Sequence, residues 1–270
     1  MLSIVVSETF GYLFDGIFHG LKDTKNFEKS ISFLKSLGYN GVELPLMMEC
    51  KDLIYVCKDI LPSYKISVSA IATGHYYTIM KYSLNSLDEF LREKAIAVAS
   101  SGLKICNMID APLIIGLLRG KEFTDKKNFK LVENSLRILD KKASDLGVKI
   151  VLEPLNRYES AYINTLKEAY KLIEEFRLEK TGILADTFHM NIEESDPCNS
   201  LKKVKDKLWH IHLADSNRWP PGYGHIDFKL IIKTLKNIGY ERWLAIECLP
   251  KPSPKKVASE SIRYLKAIMT

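Results

Sequence analysis

Four residues in the second half of the chain are of types that hold cations, and each stands at or near the end of a short apolar run. They are Glu153 in VKIVLE, Asp186 in GILAD, His212 in LWHIHLA and Glu247 in WLAIEC. Three carboxylates brought together repel one another and rise in pKa, and a divalent cation removes that cost. Three oxygen donors with one imidazole suit a fairly hard ion, Mn²⁺ first, with Co²⁺ or Mg²⁺ as alternatives. No cysteine cluster accompanies them, which argues against structural zinc. One polar strand end is ordinary; four in succession point to a site.

Other histidines divide by position. In GILADTFHMNIEE (182–194) His189 follows Asp186 by three residues and can aim a ring N–H at a bound molecule, the bland alternative being a loop-capping histidine. His210 shares a strand face with His212, because strand side chains alternate. It lies one layer deeper and reads as a buried, hydrogen-bonded histidine, with Glu43 of GVELPL as an interior partner. His19, His75 and His225 fall in or near loops, and of these His75 follows ISVSAIA closely enough to line a pocket.

The elements that must position these residues recur along the whole chain. Eight β-rich runs stand out: LSIVVS (2–7), GVELPL (41–46), ISVSAIA (66–72), PLIIGLL (112–118), VKIVLE (148–153), GILAD (182–186), LWHIHLA (208–214) and WLAIEC (243–248). Helical spacing fills the intervals. NFEKSISFLKSLG (26–38) sets Phe27, Ile31, Leu34 and Leu37 on one face with Gly38 to end it. FKLIIKTLKNIG (228–239) has Asp227 before it and Gly239 after it, and LVENSLRILDKKASDLG (131–147) follows the same plan. Such alternation predicts βα units and parallel strands. Eight of them in 270 residues predict a single-domain α/β (β/α)₈ TIM barrel over residues 1–270. A doubly wound open sheet is the competitor, but no GxGxxG phosphate loop follows an early strand. In a barrel the active site lies at the C-terminal strand ends, where the four residues stand.

Composition removes several classes. With 46% hydrophobic and 27% charged residues the chain is ordinary globular protein rather than a disordered one. Its apolar stretches fall far short of a membrane span. MLSIVVSETFGYLFDG has neither a basic region nor a small-residue cleavage site, and reads as a first strand rather than a signal peptide. Five cysteines without a CxxC spacing predict reduced thiols and a cytoplasmic protein. The net charge of +6 is carried by scattered lysines. That is a solvated surface with a mild field favouring an anionic substrate, and weak support for nucleic acid.

LEPLNRYE (152–159), LADTFHMN (184–191), HIHLADSNR (210–218) and IECLP (246–250) together resemble the ketose 3-epimerases, a branch of the xylose-isomerase-like barrels that includes D-tagatose and D-psicose 3-epimerases. The resemblance is strongest over 148–250, and the strand pattern extends it to the full chain. It implies that Glu153, Asp186, His212 and Glu247 hold the metal and that Glu159, His189 and Arg218 contact a small sugar or sugar-acid substrate. IGLLRGK (115–121), with the N-R-Y-E and F-H-M-N forms of the later motifs, is most similar to a branch acting on keto-sugar acids, of the 5-keto-L-gluconate or D-tagaturonate type. There Arg119 would meet the substrate carboxylate. Homodimers or homotetramers are usual in similar proteins.

Epimerising a carbon beside a ketone means removing a weakly acidic proton, passing through an enediolate, and returning a proton on the other face. Glu153 and Glu247 form the expected acid–base pair. The loop NRWPPGYGHIDF (217–228) is expected either to cover the pocket or to be a plain turn-rich connection. Rival reactions on such a site are neutral-ketose 3-epimerisation (D-tagatose, D-psicose, L-ribulose), hydroxypyruvate isomerisation and keto-inositol dehydration. A barrel endonuclease needs more metal ligands than six histidines so placed provide, and clustered basic residues. A non-catalytic sugar-binding barrel would have no need of both glutamates.

Overall fold

A computed structural model describes residues 1–5, 24–46, 50–122 and 126–269. Eight parallel strands close into one barrel in chain order. They are β1 (Leu2–Val5), β2 (Gly41–Pro45), β3 (Ser67–Ala72), β4 (Leu113–Ile115), β5 (Ile150–Leu152), β6 (Thr181–Asp186), β7 (Leu208–Leu213) and β8 (Leu244–Ile246). Closure is completed where Ser3 of β1 pairs with Ala245 of β8. The fold class expected from alternation is the one observed. Residues 6 and 7 of the first run, and His19, lie outside the described residues.

Strand alternation gives the barrel two apolar layers. Ile150 and Leu152 join the large cluster that packs strands against helices. Val151 between them joins Ala70, Ile114 and Leu184 in a small separate cluster, one side chain from each of four adjacent strands, as expected for inward-facing residues. Above that plug the interior becomes polar. Two register shifts lie beside the polar residues, between Val42 and Glu43 and between Ile183 and Leu184. A bulge re-aims the side chains that follow it, here Glu43 and the Leu184–Asp186 stretch.

Local chemistry fixes the helices. Asp227 caps Phe228–Asn237 by accepting from Leu230 N at 3.0 Å. Thr165 and Glu168 form a reciprocal capping box at the start of Leu166–Glu175. Gly38 and Gly147, with φ of +96° and +69°, follow helices Thr24–Leu37 and Lys126–Leu146 in a left-handed conformation that other residues adopt at a cost. PLIIGLL does not run as one strand. After Ile115 the chain turns at Gly116 into a short 3₁₀ helix, Leu117–Arg119.

Candidate metal centre and pocket

At the C-terminal end of the barrel, one ligand atom from each of Glu153, Asp186, His212 and Glu247 lies within 4.8 Å of all the others. Glu153 and Glu247 stand one residue beyond β5 and β8, Asp186 ends β6, and His212 lies within β7. His212 Nδ1 is 2.8 Å from Glu247 Oε2, 3.5 Å from Glu153 Oε1 and 3.9 Å from Asp186 Oδ2. Asp186 is oriented by its own helix: Oδ1 caps Thr187–Glu193 by accepting from Phe188 N at 2.8 Å, leaving Oδ2 toward the cluster.

Beneath this group, Glu43 Oε2 meets His212 Nε2 at 2.9 Å and His210 Nε2 at 3.1 Å. All three side chains are buried. His210 is thus the interior, hydrogen-bonded histidine expected, and Glu43 its partner. With Nε2 of His212 engaged by Glu43, Nδ1 faces the cluster, the arrangement that orients a ligating imidazole.

Charge is tightly balanced. Burial, the dominant influence, raises the pKa of Glu153, and the charge of Glu247 adds to it against the opposing pull of His212. Burial also acts to raise Glu247, but His212 and Arg218 outweigh it and hold that carboxyl well below the usual range. Burial would lower His212, yet Glu247 and Glu43 drive it well above an ordinary imidazole. In His210 burial prevails and the pKa falls.

The four-residue group fits a divalent cation on structural grounds. His212 Nδ1 and Glu153 Oε1 are fully buried and meet no polar partner outside the cluster itself. A buried polar atom left unpaired costs roughly 1–3 kcal/mol, which a bound ion would remove. Moreover, the Arg218 guanidinium reaches into the group, donating to Asp186 Oδ2 and, at 2.5 Å, to Glu247 Oε2. A positive fork stands where the carboxylates call for one. It also stacks on Phe188, with Cζ 5.1 Å from the ring centroid.

A cavity of about 140 Å³ opens onto the cluster, lined by Glu153, His212 and Glu247 and also by Glu159, His189, Arg218 and His75. His75 does not lie in a loop but in the helix Gly74–Met80; burial lowers its pKa against the charge of Glu247. Arg119 requires a correction. It is fully buried and does not line the cavity. Its guanidinium donates to the carbonyls of Gly116 (3.2 Å), Tyr162 (2.9 Å) and Ile163 (2.9 Å), and to Ser160 Oγ at 3.3 Å. The 3₁₀ turn after β4 directs the side chain to the carbonyls of Tyr162 and Ile163 rather than to the cavity. The 217–228 loop is likewise no simple cover. Asp215, wholly buried, accepts from Ser216 N, Gly222 N and Ile226 N at 2.8, 2.8 and 3.1 Å, and the loop folds around it.

Gly116 is a site residue that pattern reading passed over. A Cβ there would lie 2.4 Å from Glu153 Oε2, so glycine makes room for the carboxylate. Its signal was a glycine interrupting PLIIGLL. Thr78 and Leu117 also line the cavity and carried no signal of their own.

The family model described as xylose isomerase-like TIM barrel matches residues 31–268. The chain belongs to this family. Among xylose isomerase-like barrels it is 36% identical over 253 residues to the 3-dehydro-D-guloside 4-epimerase of Escherichia coli K12, covering 90% of this chain and 95% of that protein. It is 29% identical to the ketose 3-epimerase of Arthrobacter globiformis, covering 83% and 79% of the two chains. A crystal structure of the apo 3-keto-D-glucoside 4-epimerase from E. coli superposes with a TM-score of 0.80 at 22% identity, over 98% of each chain. The named relatives within the family are epimerases, and the chain is an enzyme of the isomerase class.

Proposed function

We propose that this protein is a divalent-metal-dependent epimerase that inverts the carbon beside the ketone of a keto-sugar. The observation that carries the reading is the pair of glutamates, Glu153 after β5 and Glu247 after β8, converging on one imidazole nitrogen at the floor of a small polar cavity. Glu153, Asp186, His212 and Glu247 would hold the ion, Mn²⁺ first and Co²⁺ or Mg²⁺ as alternatives. When bound, such an ion supplies several kcal/mol of stabilisation to negative charge on neighbouring substrate oxygens.

The chain's own groups do the proton chemistry. One glutamate takes the proton from the carbon beside the ketone, and the other returns one on the opposite face. His189 and Arg218 donate to the substrate oxygens on which enediolate charge gathers, and Glu159 accepts from a hydroxyl. The relatives named for a dehydro-guloside and for ketoses support a keto-sugar substrate.

Among the described residues lining the cavity, Arg218 is the only arginine or lysine, and it already faces two carboxylates. A neutral keto-sugar is therefore the first reading. The IGLLRGK, N-R-Y-E and F-H-M-N motifs favour a second, a keto-sugar acid of the 5-keto-L-gluconate or D-tagaturonate type. A cytoplasmic homodimer or homotetramer is the setting we propose, on the resemblance and on the free thiols of Cys57, Cys106 and Cys198.

The test is incubation of Mn²⁺-loaded protein with neutral ketoses, keto-glycosides and keto-sugar acids in D₂O. Deuterium is expected at the carbon beside the ketone, with a new epimer, and both should stop on chelation. Carbonyl migration or loss of water would assign an isomerase or dehydratase instead, and no exchange on any substrate would overturn the reading.

A further inference from the structure

Asn156, in LEPLNRYE, is only 2% exposed and belongs neither to the cluster nor to the cavity lining itself, yet all its polar atoms are committed. Its carbonyl oxygen accepts from Glu159 N at 2.9 Å and Ser160 N at 3.0 Å. Its side-chain Oδ1 accepts from Tyr158 N at 2.9 Å. Its Nδ2 donates to Glu159 Oε1 at 3.0 Å and lies 2.8 Å from His189 Nδ1. Its backbone N–H also points at His189 Nδ1, at 3.3 Å.

These contacts determine which ring nitrogen of His189 carries the proton. The amide orientation is fixed twice over, since a backbone N–H can only donate to Oδ1 and a carboxylate can only accept from Nδ2. Two N–H donors therefore converge on Nδ1. A backbone N–H cannot be turned round, so a proton on Nδ1 would place N–H against N–H. Nδ1 must offer its lone pair, and the proton sits on Nε2. That nitrogen lies on the cluster side, 3.9 Å from Asp186 Oδ2, in a side chain that lines the cavity.

We propose that Asn156 is a positioning residue that fixes His189 in the Nε2–H tautomer, so that the imidazole meets the substrate as a hydrogen-bond donor. The substrate half of this inference rests on the keto-sugar reading above; the tautomer half does not. The same side chain holds Glu159, an acceptor, beside that donor. One asparagine thus sets a donor and an acceptor side by side, a pairing suited to adjacent oxygens of a polyhydroxylated molecule.

The experiment uses full-length protein labelled with ¹⁵N-histidine and long-range ¹H–¹⁵N correlation spectra of the ring nitrogens, with His189 assigned by loss of its signals in His189→Gln. Wild-type His189 is expected to show an unprotonated Nδ1 and a protonated Nε2. Asn156→Asp, which replaces the side-chain donor with an acceptor, should move the proton toward Nδ1. It should also lower kcat/KM by about tenfold, the scale of one lost hydrogen bond, largely through KM. A wild-type ring protonated on Nδ1, or an Asn156→Asp ring unchanged from wild type, would overturn the proposal. Should Asn156→Asp not fold, Asn156→Ala leaves only the longer backbone contact on Nδ1, at 3.3 Å, and is expected to admit a fraction of Nδ1-protonated ring; a single unchanged tautomer there would assign the fixing to the backbone and overturn the role of the side chain. The spectra need no substrate. Wild-type protein inert toward every keto-sugar would overturn the functional reading and the substrate half with it, whereas a wrong tautomer overturns the proposal and leaves that reading standing.

Discussion

Arg119 and Arg218 each follow a barrel strand on the same rim, after β4 and β7, and their surroundings differ completely. Around Arg218 the neighbours are ionisable: Asp186 and Glu247 receive its fork, and Phe188 lies under it. Around Arg119 they are carbonyls and one hydroxyl, with the Tyr162 ring 5.3 Å from Cζ. Burial lowers the Arg119 pKa, and its hydrogen-bond partners among the described residues include no carboxylate. Position at a strand end is thus not what makes an arginine part of a site. The turn that follows the strand decides. Arg218 sits at φ +61°, an unusual left-handed conformation that turns the chain sharply at that point. Arg119 sits in a 3₁₀ turn that points inward to a loop needing donors.

The contrast fails first if the glutamates of the cluster that Arg218 enters are dispensable. Glu247→Gln and Glu153→Gln should each cost at least about a hundredfold in kcat, the scale of a lost acid–base group. Steady-state rates of the Mn²⁺-loaded variants measure this, and a near wild-type rate in either would end the pairing. Arg218→Ala should come next, with kcat/KM reduced about ten- to a hundredfold, as for a charge-assisted hydrogen bond of roughly 1.5–3 kcal/mol. Its unfolding midpoint should move little, because the loop around it is held by Asp215.

Below the rim, Glu43→Gln should weaken metal binding by about ten- to a hundredfold, the range for loss of a group that orients a ligand. Calorimetric titration with Mn²⁺ reads that directly, and unchanged affinity would reduce Glu43 to packing. Arg119→Met should have the smallest effect on chemistry and a clear one on the fold. Leaving the Tyr162 carbonyl with only Ser160 Oγ and the Ile163 carbonyl with only Leu155 N as donors should cost roughly 1 kcal/mol or more in denaturant unfolding. KM for a keto-sugar acid and for its neutral analogue should stay within about threefold of wild type, far below the shift that one lost charged hydrogen bond would give. A selective loss on the acid would restore Arg119 to the pocket.

The strands were readable because inward and outward residues alternate and because a polar residue stands at or near the end of each of the later runs. That pattern is local, and it is enough to place Glu153, Asp186, His212 and Glu247 on one rim. His210 and Glu43 were readable for the same reason, one layer down. What was not readable depended on turns. Nothing in LLRG distinguishes a strand that continues from a 3₁₀ turn that swings Arg119 inward, because the carbonyls it satisfies belong to residues 160–163. Asn156 was in plain sight within LEPLNRYE, but its partner Nδ1 is 33 residues away, across the β5–β6 crossover. Gly116 matters only because a glutamate from the next strand fills the space beside it.

The loop wound about Asp215 has a thermodynamic consequence. Gly224 stands where a Cβ would lie 2.3 Å from Asp215 Oδ1, and Leu249 N closes the far side by donating to the Arg218 carbonyl at 2.7 Å. The segment that presents the guanidinium is therefore ordered in the resting protein, and its conformational entropy is lost when the chain folds, not when a ligand arrives. For this segment, ligand entry should resemble docking into a mould. Association should need no slow isomerisation of residues 215–227, and their amide hydrogens should exchange at nearly the same rate with and without ligand.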